Sequence, residues 1–235
     1  NPADFDPTDY LDFSDTPKKQ EYADNNEGVI YLSPTEVRQL QRHVPRPKVR
    51  NDLIIQLLVE TGLRRGELSM LRIDGRKDHI DREAKTVTVT DETAKTDSGG
   101  RTVPYDDLEP ELSLWLDSRR GRFAHAEESP YLFLNRQSPK LSPSRISTIV
   151  REAAENAGLD EKYAETVDGV GRRRVSAHSL RATFVVRLFE SGLSAPKVME
   201  VSGHENLKTV ESYANITRDD AIEAYREADI DFGTL

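Results

Sequence analysis

Four residues between positions 178 and 213 have types and spacing suited to chemistry on an anion: His178, Arg181, His204 and Tyr213. Arginine stays protonated throughout the working range of proteins and presents its N–H donors in a planar fork. The two histidines can be tuned around neutrality. Tyrosine is among the side chains that form covalent intermediates. Fixed positive charge beside a nucleophilic hydroxyl suits attack on a phosphate, because phosphoryl transfer rests mostly on positioning and charge stabilisation.

The stretch that carries these residues reads as three short helices. Ser176 is a natural N-cap and Gly192 a natural stop. Ala177, Leu180, Phe184, Val185 and Leu188 recur at helical spacing as one apolar stripe. At roughly 100° per residue, Arg181 falls inside that stripe. His178, three residues earlier, is its neighbour on the helix surface. A core-facing guanidinium needs an anion, either a carboxylate of the protein or a group from outside. Ser194 caps a helix of about two turns that ends at Gly203, and His204 follows at once. Leu207, Val210 and Tyr213 continue with a short helical pattern.

Upstream, Ser33-Pro34-Thr35-Glu36 opens a helix with a capping box. A second helix begins near Arg50, turns Leu53, Ile54, Leu57 and Leu58 to the core, and stops at Gly62. TGLRRGELSML, residues 61–71, then projects Arg64 from a junction of two helices, with Glu67 placed to pair with a guanidinium. Ile80 to Pro104 reads as strands. Thr86 to Thr90 alternates strictly, Arg101-Thr102-Val103-Pro104 follows a polar loop, and that loop, Glu92–Gly100, holds Lys95. Leu108 to Leu116 is predicted helical with Trp115 in the core, and Arg119 to Arg122 forms a basic turn. Ser142-Pro143 starts a helix with Ile146, Ile149, Val150 and Ala153 inward and Gly158 as its stop. Residues 159–175 are predicted to be a long loop ending in Arg172-Arg173-Arg174, which either grips phosphates or is simply solvated. Thr217, Asp219 and Asp220 cap a last helix through about Ala228, before an acidic tail.

Cysteine is absent, so disulfides, thiol chemistry and cysteine-based zinc sites are excluded. The five histidines show no metal-ligand spacing. No apolar run is long enough to span a bilayer and no signal-peptide pattern is present, so the expected location is cytoplasmic. The chain begins at Asn1 rather than Met and reads as a fragment or a processed product. Its net charge of −9 argues against a nucleic-acid partner until its distribution is considered. Residues 1–28 carry net −6 and residues 219–235 net −5, whereas residues 171–218 carry net +4. The acid lies at the ends, and the base surrounds His178, Arg181, His204 and Tyr213. With 23 Arg, 10 Lys and no Cys, the composition also suits a salt-loving, halophilic source; ordinary acidic tails are the plainer reading.

H-x-L-R at 178–181, G-H at 203–204 and a tyrosine nine residues later resemble the C-terminal signature of the tyrosine recombinases, the phage-integrase and Xer-type family. The same family has a G-L-R motif and a lysine in a β-hairpin loop, matched here by Gly62-Leu63-Arg64 and Lys95. Two departures are small: Gly66 stands where relatives often have Ser or Thr, and Ala182 where many have a second histidine. The resemblance implies a mainly α fold with a small antiparallel β-sheet, the DNA breaking-rejoining catalytic fold, over residues 29–218. Residues 1–28 would be an acidic linker remnant or tail, and residues 219–235 an acidic C-terminal helix and tail that docks on a neighbouring subunit. It also implies six catalytic residues. Arg64 and Arg181 hold the phosphate oxygens, His204 donates a further bond, Tyr213 attacks phosphorus, His178 receives its proton, and Lys95 protonates the leaving 5′-oxygen. The implied partner is double-stranded DNA, with self-association into a synaptic tetramer, and no metal, cofactor, membrane or small-molecule substrate. Two other readings share the fold: a relaxer like the type IB topoisomerases, and a DNA-binding module without activity. Taken singly, each residue has a plainer role; the conjunction of six, in order and on the expected elements, is what carries the resemblance.

Overall fold

The Ser33 hydroxyl accepts the backbone N–H of Glu36, and the Glu36 carboxylate accepts that of Ser33 at 2.8 Å. The expected capping box is therefore complete, and it opens α1 (Pro34–Arg42). The computed structural model describes residues 29–75, 78–91, 100–160, 162–165 and 171–215. The tail 1–28, the Lys95 loop and the expected C-terminal helix and tail, 219–235, lie outside the described residues.

The next helix, α2 (Lys48–Thr61), is buried on nearly every side, from Leu53 through Leu58 and at Arg50 and Asn51. Its buried cation is satisfied locally: Arg50 donates to the Asn51 side chain at 2.9 Å and to the Leu134 carbonyl at 2.7 Å. The helix ends where Gly62 takes the left-handed conformation, φ 59°. The short α3 (Arg65–Ser69) follows. β1 (Ile80–Asp81), β2 (Thr86–Val89) and β3 (Arg101–Pro104) form an antiparallel sheet in that order, with Val89 opposite Arg101. The predicted helix after it is shorter than expected: α4 (Glu109–Ser113) gives way to a π-helical turn, Leu114–Arg119, and a 3₁₀ turn, Arg120–Arg122. Trp115 is buried and donates its indole N–H to the Leu132 carbonyl. The basic turn is structural, since Arg120 donates to the carbonyls of Ala126, Ser129 and Tyr131. α5 (Pro143–Ala157) buries Ile146, Ile149, Val150 and Ala153 as expected.

The predicted loop at 159–175 is instead a two-stranded antiparallel hairpin, β4 (Lys162–Glu165) with β5 (Gly171–Arg173). Neither strand carries the apolar alternation that marks a half-buried strand, which is why the sequence reads as a loop there. Arg173 pairs with Asp160 and with Glu155, and Arg174 with Glu36 at 2.6 Å. Both cations are thus committed to internal carboxylates.

α6 (Ala177–Glu190) departs from a one-sided stripe: every residue from Ser179 to Val186 is buried. Its two ends serve different cores. Leu180 joins the large cluster built on α1, α2 and α5. Ala182, Phe184, Val185 and Val186 join a smaller one with Val103, Val198, Val210 and Tyr213. The polar Thr183 is satisfied within this wall, donating to the Ser179 carbonyl and accepting the Leu32 N–H. α7 (Ala195–Ser202) ends at left-handed Gly203, φ 66°, and residues 207–215 are helical.

Candidate active site

Two glycine turns bring the arginines together. Left-handed Gly62 leaves the chain extended at Arg64, whose backbone N–H is held by Glu67 Oε2 at 2.7 Å. Arg64 then donates Nη1 to Glu67 Oε1 and Nη2 to the Gly203 carbonyl, each at 3.0 Å. Arg181 rises from the centre of α6 and is 4 % exposed. Among the described residues no carboxylate hydrogen-bonds it. Nη1 donates to the Gly62 carbonyl at 2.5 Å and Nη2 to the Ser202 carbonyl at 2.6 Å. Of the two anions expected for a buried Arg181, a protein carboxylate and a group from outside, the first is not among these hydrogen-bond partners. Carbonyl dipoles at two helix C-termini hold it without supplying a paired counter-ion. Each guanidinium uses two of its five N–H groups in these bonds.

Glu67 hydrogen-bonds two guanidiniums, those of Arg64 and Arg101, and its charge also acts on Arg181. Arg101 donates Nη1 to Oε1 at 3.0 Å and Nη2 to Oε2 at 2.8 Å, a bidentate pair buried beside the Arg64 contact. The cluster of Arg64, Arg101, Arg181 and Glu67 thus carries a net charge of +2. Burial alone would raise the Glu67 pKa, but the Arg101 hydrogen bonds and charge, then the Arg64 N–H and Arg181, hold it below the ordinary carboxylate value. Burial and the neighbouring Arg64 bring Arg181 down to about 10, so it stays charged at neutral pH.

Arg64, Glu67, His178 and Arg181 line one cavity of about 800 Å³. His178 stands at its open edge, and among the described residues it makes no hydrogen bond. The surrounding protein, then Arg181, lowers its pKa, so the imidazole is neutral at pH 7. His204 lies against Arg181, with Nη2 3.4 and 3.5 Å from its two ring nitrogens. Burial and the charges of Arg181, Arg64 and Arg101 push its pKa down to about 3. Tyr213 lies beside it, ring centroids 6.0 Å apart, and is 4 % exposed. It does not line the large cavity. It lines a separate pocket of about 80 Å³ that it shares with His178 and Arg174. His178 therefore faces both spaces. Burial raises the phenol pKa, and Arg181 partly offsets that.

Five of the six residues singled out from the sequence thus form one neighbourhood: Arg64, His178, Arg181, His204 and Tyr213. The sixth, Lys95, lies outside the described residues. Its loop leaves from the Val89–Arg101 end of the β2–β3 hairpin, and Arg101 anchors that end to Glu67. The departure at Gly66 is sterically neutral, since nothing lies within 4 Å of the position a Cβ would occupy.

The phage integrase family model matches residues 31–219, which is most of the chain. The chain belongs to the phage integrase family. It is 30 % identical over 203 residues to the tyrosine recombinase XerA of Pyrococcus furiosus, covering 85 % of this chain and 62 % of that protein. It is 32 % identical over 171 residues to a tyrosine recombinase XerC of Mycobacterium sp., covering 72 % and 50 %. The chain therefore spans half to two thirds of these relatives. The crystal structure of XerA recombinase shares the fold with a TM-score of 0.67 at 22 % identity, over 86 % of this chain and 66 % of that one. A XerH site-specific recombinase bound to its difH substrate matches with a TM-score of 0.62 at 22 % identity, over 82 % and 52 %. The mainly α fold with a small antiparallel sheet is thus the tyrosine recombinase catalytic fold.

Within this integrase-family site, sequence reasoning passed over Arg101 and Ser202. Alternation in β3 carried a signal for the first: Val103 is buried and Thr102 and Pro104 exposed, so Arg101 points inward and requires a carboxylate. Helical spacing carried one for the second, because Ser202 lies one turn after buried Val198 and is itself fully buried.

Proposed function

We propose that this chain is the catalytic domain of a site-specific DNA recombinase that cleaves and rejoins strands through a 3′-phosphotyrosyl intermediate. The observation that carries the proposal is the convergence of Arg64 and Arg181, the second held by two backbone carbonyls, on one open cavity with net positive charge. Arg64 and Arg181 grip the non-bridging oxygens of the scissile phosphate through forked, charge-assisted bonds. His204, neutral at working pH, donates a further hydrogen bond to the crowded transition state. Tyr213 attacks phosphorus in line and His178, neutral and facing both spaces, takes the phenolic proton. Lys95 gives a proton to the departing 5′-oxygen. The charge work falls to the two fixed cations, and no step is assigned to a metal. A 5′-hydroxyl from another strand reverses the reaction, because the phosphodiester's energy is retained in the phosphotyrosine.

Tyr213 must reach the cavity for this chemistry. The helical residues 207–215 that carry it bury only Val210 and Tyr213, so a shift of the segment breaks few apolar contacts. The substrate is double-stranded DNA, as in the XerH complex with difH and in a lambda integrase dimer bound to a core site. The active assembly is a synaptic tetramer on two duplexes. The test is incubation with a nicked duplex carrying the recombination site. A covalent protein–DNA adduct that depends on that sequence supports the reading, whereas sequence-independent relaxation of supercoils contradicts it in favour of a relaxer.

A further inference from the structure

Ser202, Gly203 and His204 are consecutive, yet the left-handed turn at Gly203 folds the chain so that the first and third side chains meet. Ser202 Oγ lies 2.7 Å from His204 Nδ1. The hydroxyl is fully buried, and the carbonyl of the same residue holds Arg181. A buried hydroxyl must place its proton somewhere. Among the described residues its one other hydrogen-bond partner is the Met199 carbonyl at 3.5 Å, beyond the usual O–H···O range. That carbonyl already accepts the Gly203 N–H at 2.9 Å and the His204 N–H at 3.2 Å, which occupies both of its lone pairs. The proton therefore goes to His204 Nδ1. The Arg181 guanidinium against the ring excludes a second ring proton, so the single imidazole proton is on Nε2.

We propose that Ser202 is the positioning residue that fixes His204 as the Nε2–H tautomer, and so makes it a hydrogen-bond donor to the reacting phosphate. This rests on the recombinase reading for its catalytic consequence, though not for the tautomer itself. In the opposite tautomer Nε2 would present a lone pair to a phosphate oxygen, and the contact would be repulsive. Ser202 thus acts twice: its carbonyl aims Arg181 and its hydroxyl sets the polarity of His204.

The test combines nitrogen NMR of the free protein labelled with ¹⁵N-histidine with cleavage of a nicked duplex. The His204 signals are those lost in His204→Gln. In the wild type, Nδ1 should resonate as the bare nitrogen and Nε2 as the protonated one. In Ser202→Ala the Nδ1–H form should appear, and cleavage should slow about tenfold, with duplex affinity unchanged. In the His204→Gln background, where an amide donates without any tautomer to choose, Ser202→Ala should change cleavage by less than about twofold. An Nδ1–H signal in the wild type overturns the proposal. So does an unaltered tautomer in Ser202→Ala, or the same tenfold loss in both backgrounds. If no variant forms an adduct, the recombinase reading fails while the spectra still decide the role of Ser202.

Discussion

Glu67→Gln tests the charge balance of the site. The carboxylate is 1 % exposed and accepts four bonds: from the Arg64 N–H, from Arg64 Nη1, and from both terminal nitrogens of Arg101. Glutamine keeps the shape but has one acceptor oxygen, so an NH₂ group must face donors at the other position. Three guanidiniums would also be left without their shared counter-charge. Breaking a buried ion pair from one side costs about 3–5 kcal/mol. For a chain of this size, that lowers Tm by about 6–20 °C. The assay is denaturant unfolding of both proteins at pH 7 and again in acid. Glu67 titrates below its ordinary value of 4.5 in the folded state, so its stabilisation is complete above that pH and is lost as pH falls through the folded value. The gap between wild type and variant should therefore be full at pH 7 and should narrow only once the pH has fallen below 4.5. A gap under about 1 kcal/mol at neutral pH, or one that widens in acid, refutes the reasoning.

Three further outcomes are expected. Arg181→Lys replaces a fork by a point charge that cannot satisfy the Gly62 and Ser202 carbonyls and a phosphate together. Adduct formation should fall about 10²–10³-fold, with duplex affinity nearly retained in a gel-shift titration. Gly62→Ala puts a side chain at φ 59° with its Cβ driven into the Phe184 ring. Urea unfolding should show a loss of about 2–5 kcal/mol with unchanged m. His204 carries a folded pKa of about 3 against an ordinary 6.5, so between those values the unfolded chain holds a proton that the folded chain does not. Stability should therefore fall as pH drops from 6.5 towards 3, and the fall should be shallower in His204→Gln.

The elements that position the site were legible because their ends are written in local chemistry. Ser33 with Glu36, Ser142, Ser176, Gly62, Gly158 and Gly203 mark helix boundaries through side-chain caps and left-handed turns, which need no knowledge of tertiary packing. The arginines were legible by type and spacing, and so was Glu67 as a partner for a guanidinium, but the rest of their contacts were not. That Arg181 would lean on two carbonyls, and that Glu67 would be shared by Arg64 and Arg101, depends on contacts between segments far apart in the chain. The β4–β5 hairpin was missed because its pairing leaves no apolar alternation to read. The all-round burial of α6 was missed because Ser179, Arg181 and Thr183 look like a polar face until two cores close on the helix from opposite sides.

In the proposed mechanism Tyr213 is the residue that becomes joined to DNA. The direct measurement is to capture covalent adducts on nicked duplexes of randomised sequence, digest the protein, and identify the modified peptide by mass spectrometry. The account predicts a 3′-phosphate carried on Tyr213, a shared sequence among the captured duplexes, and no adduct with Tyr213→Phe. An adduct that persists in Tyr213→Phe, or one carried on a different residue, would contradict it.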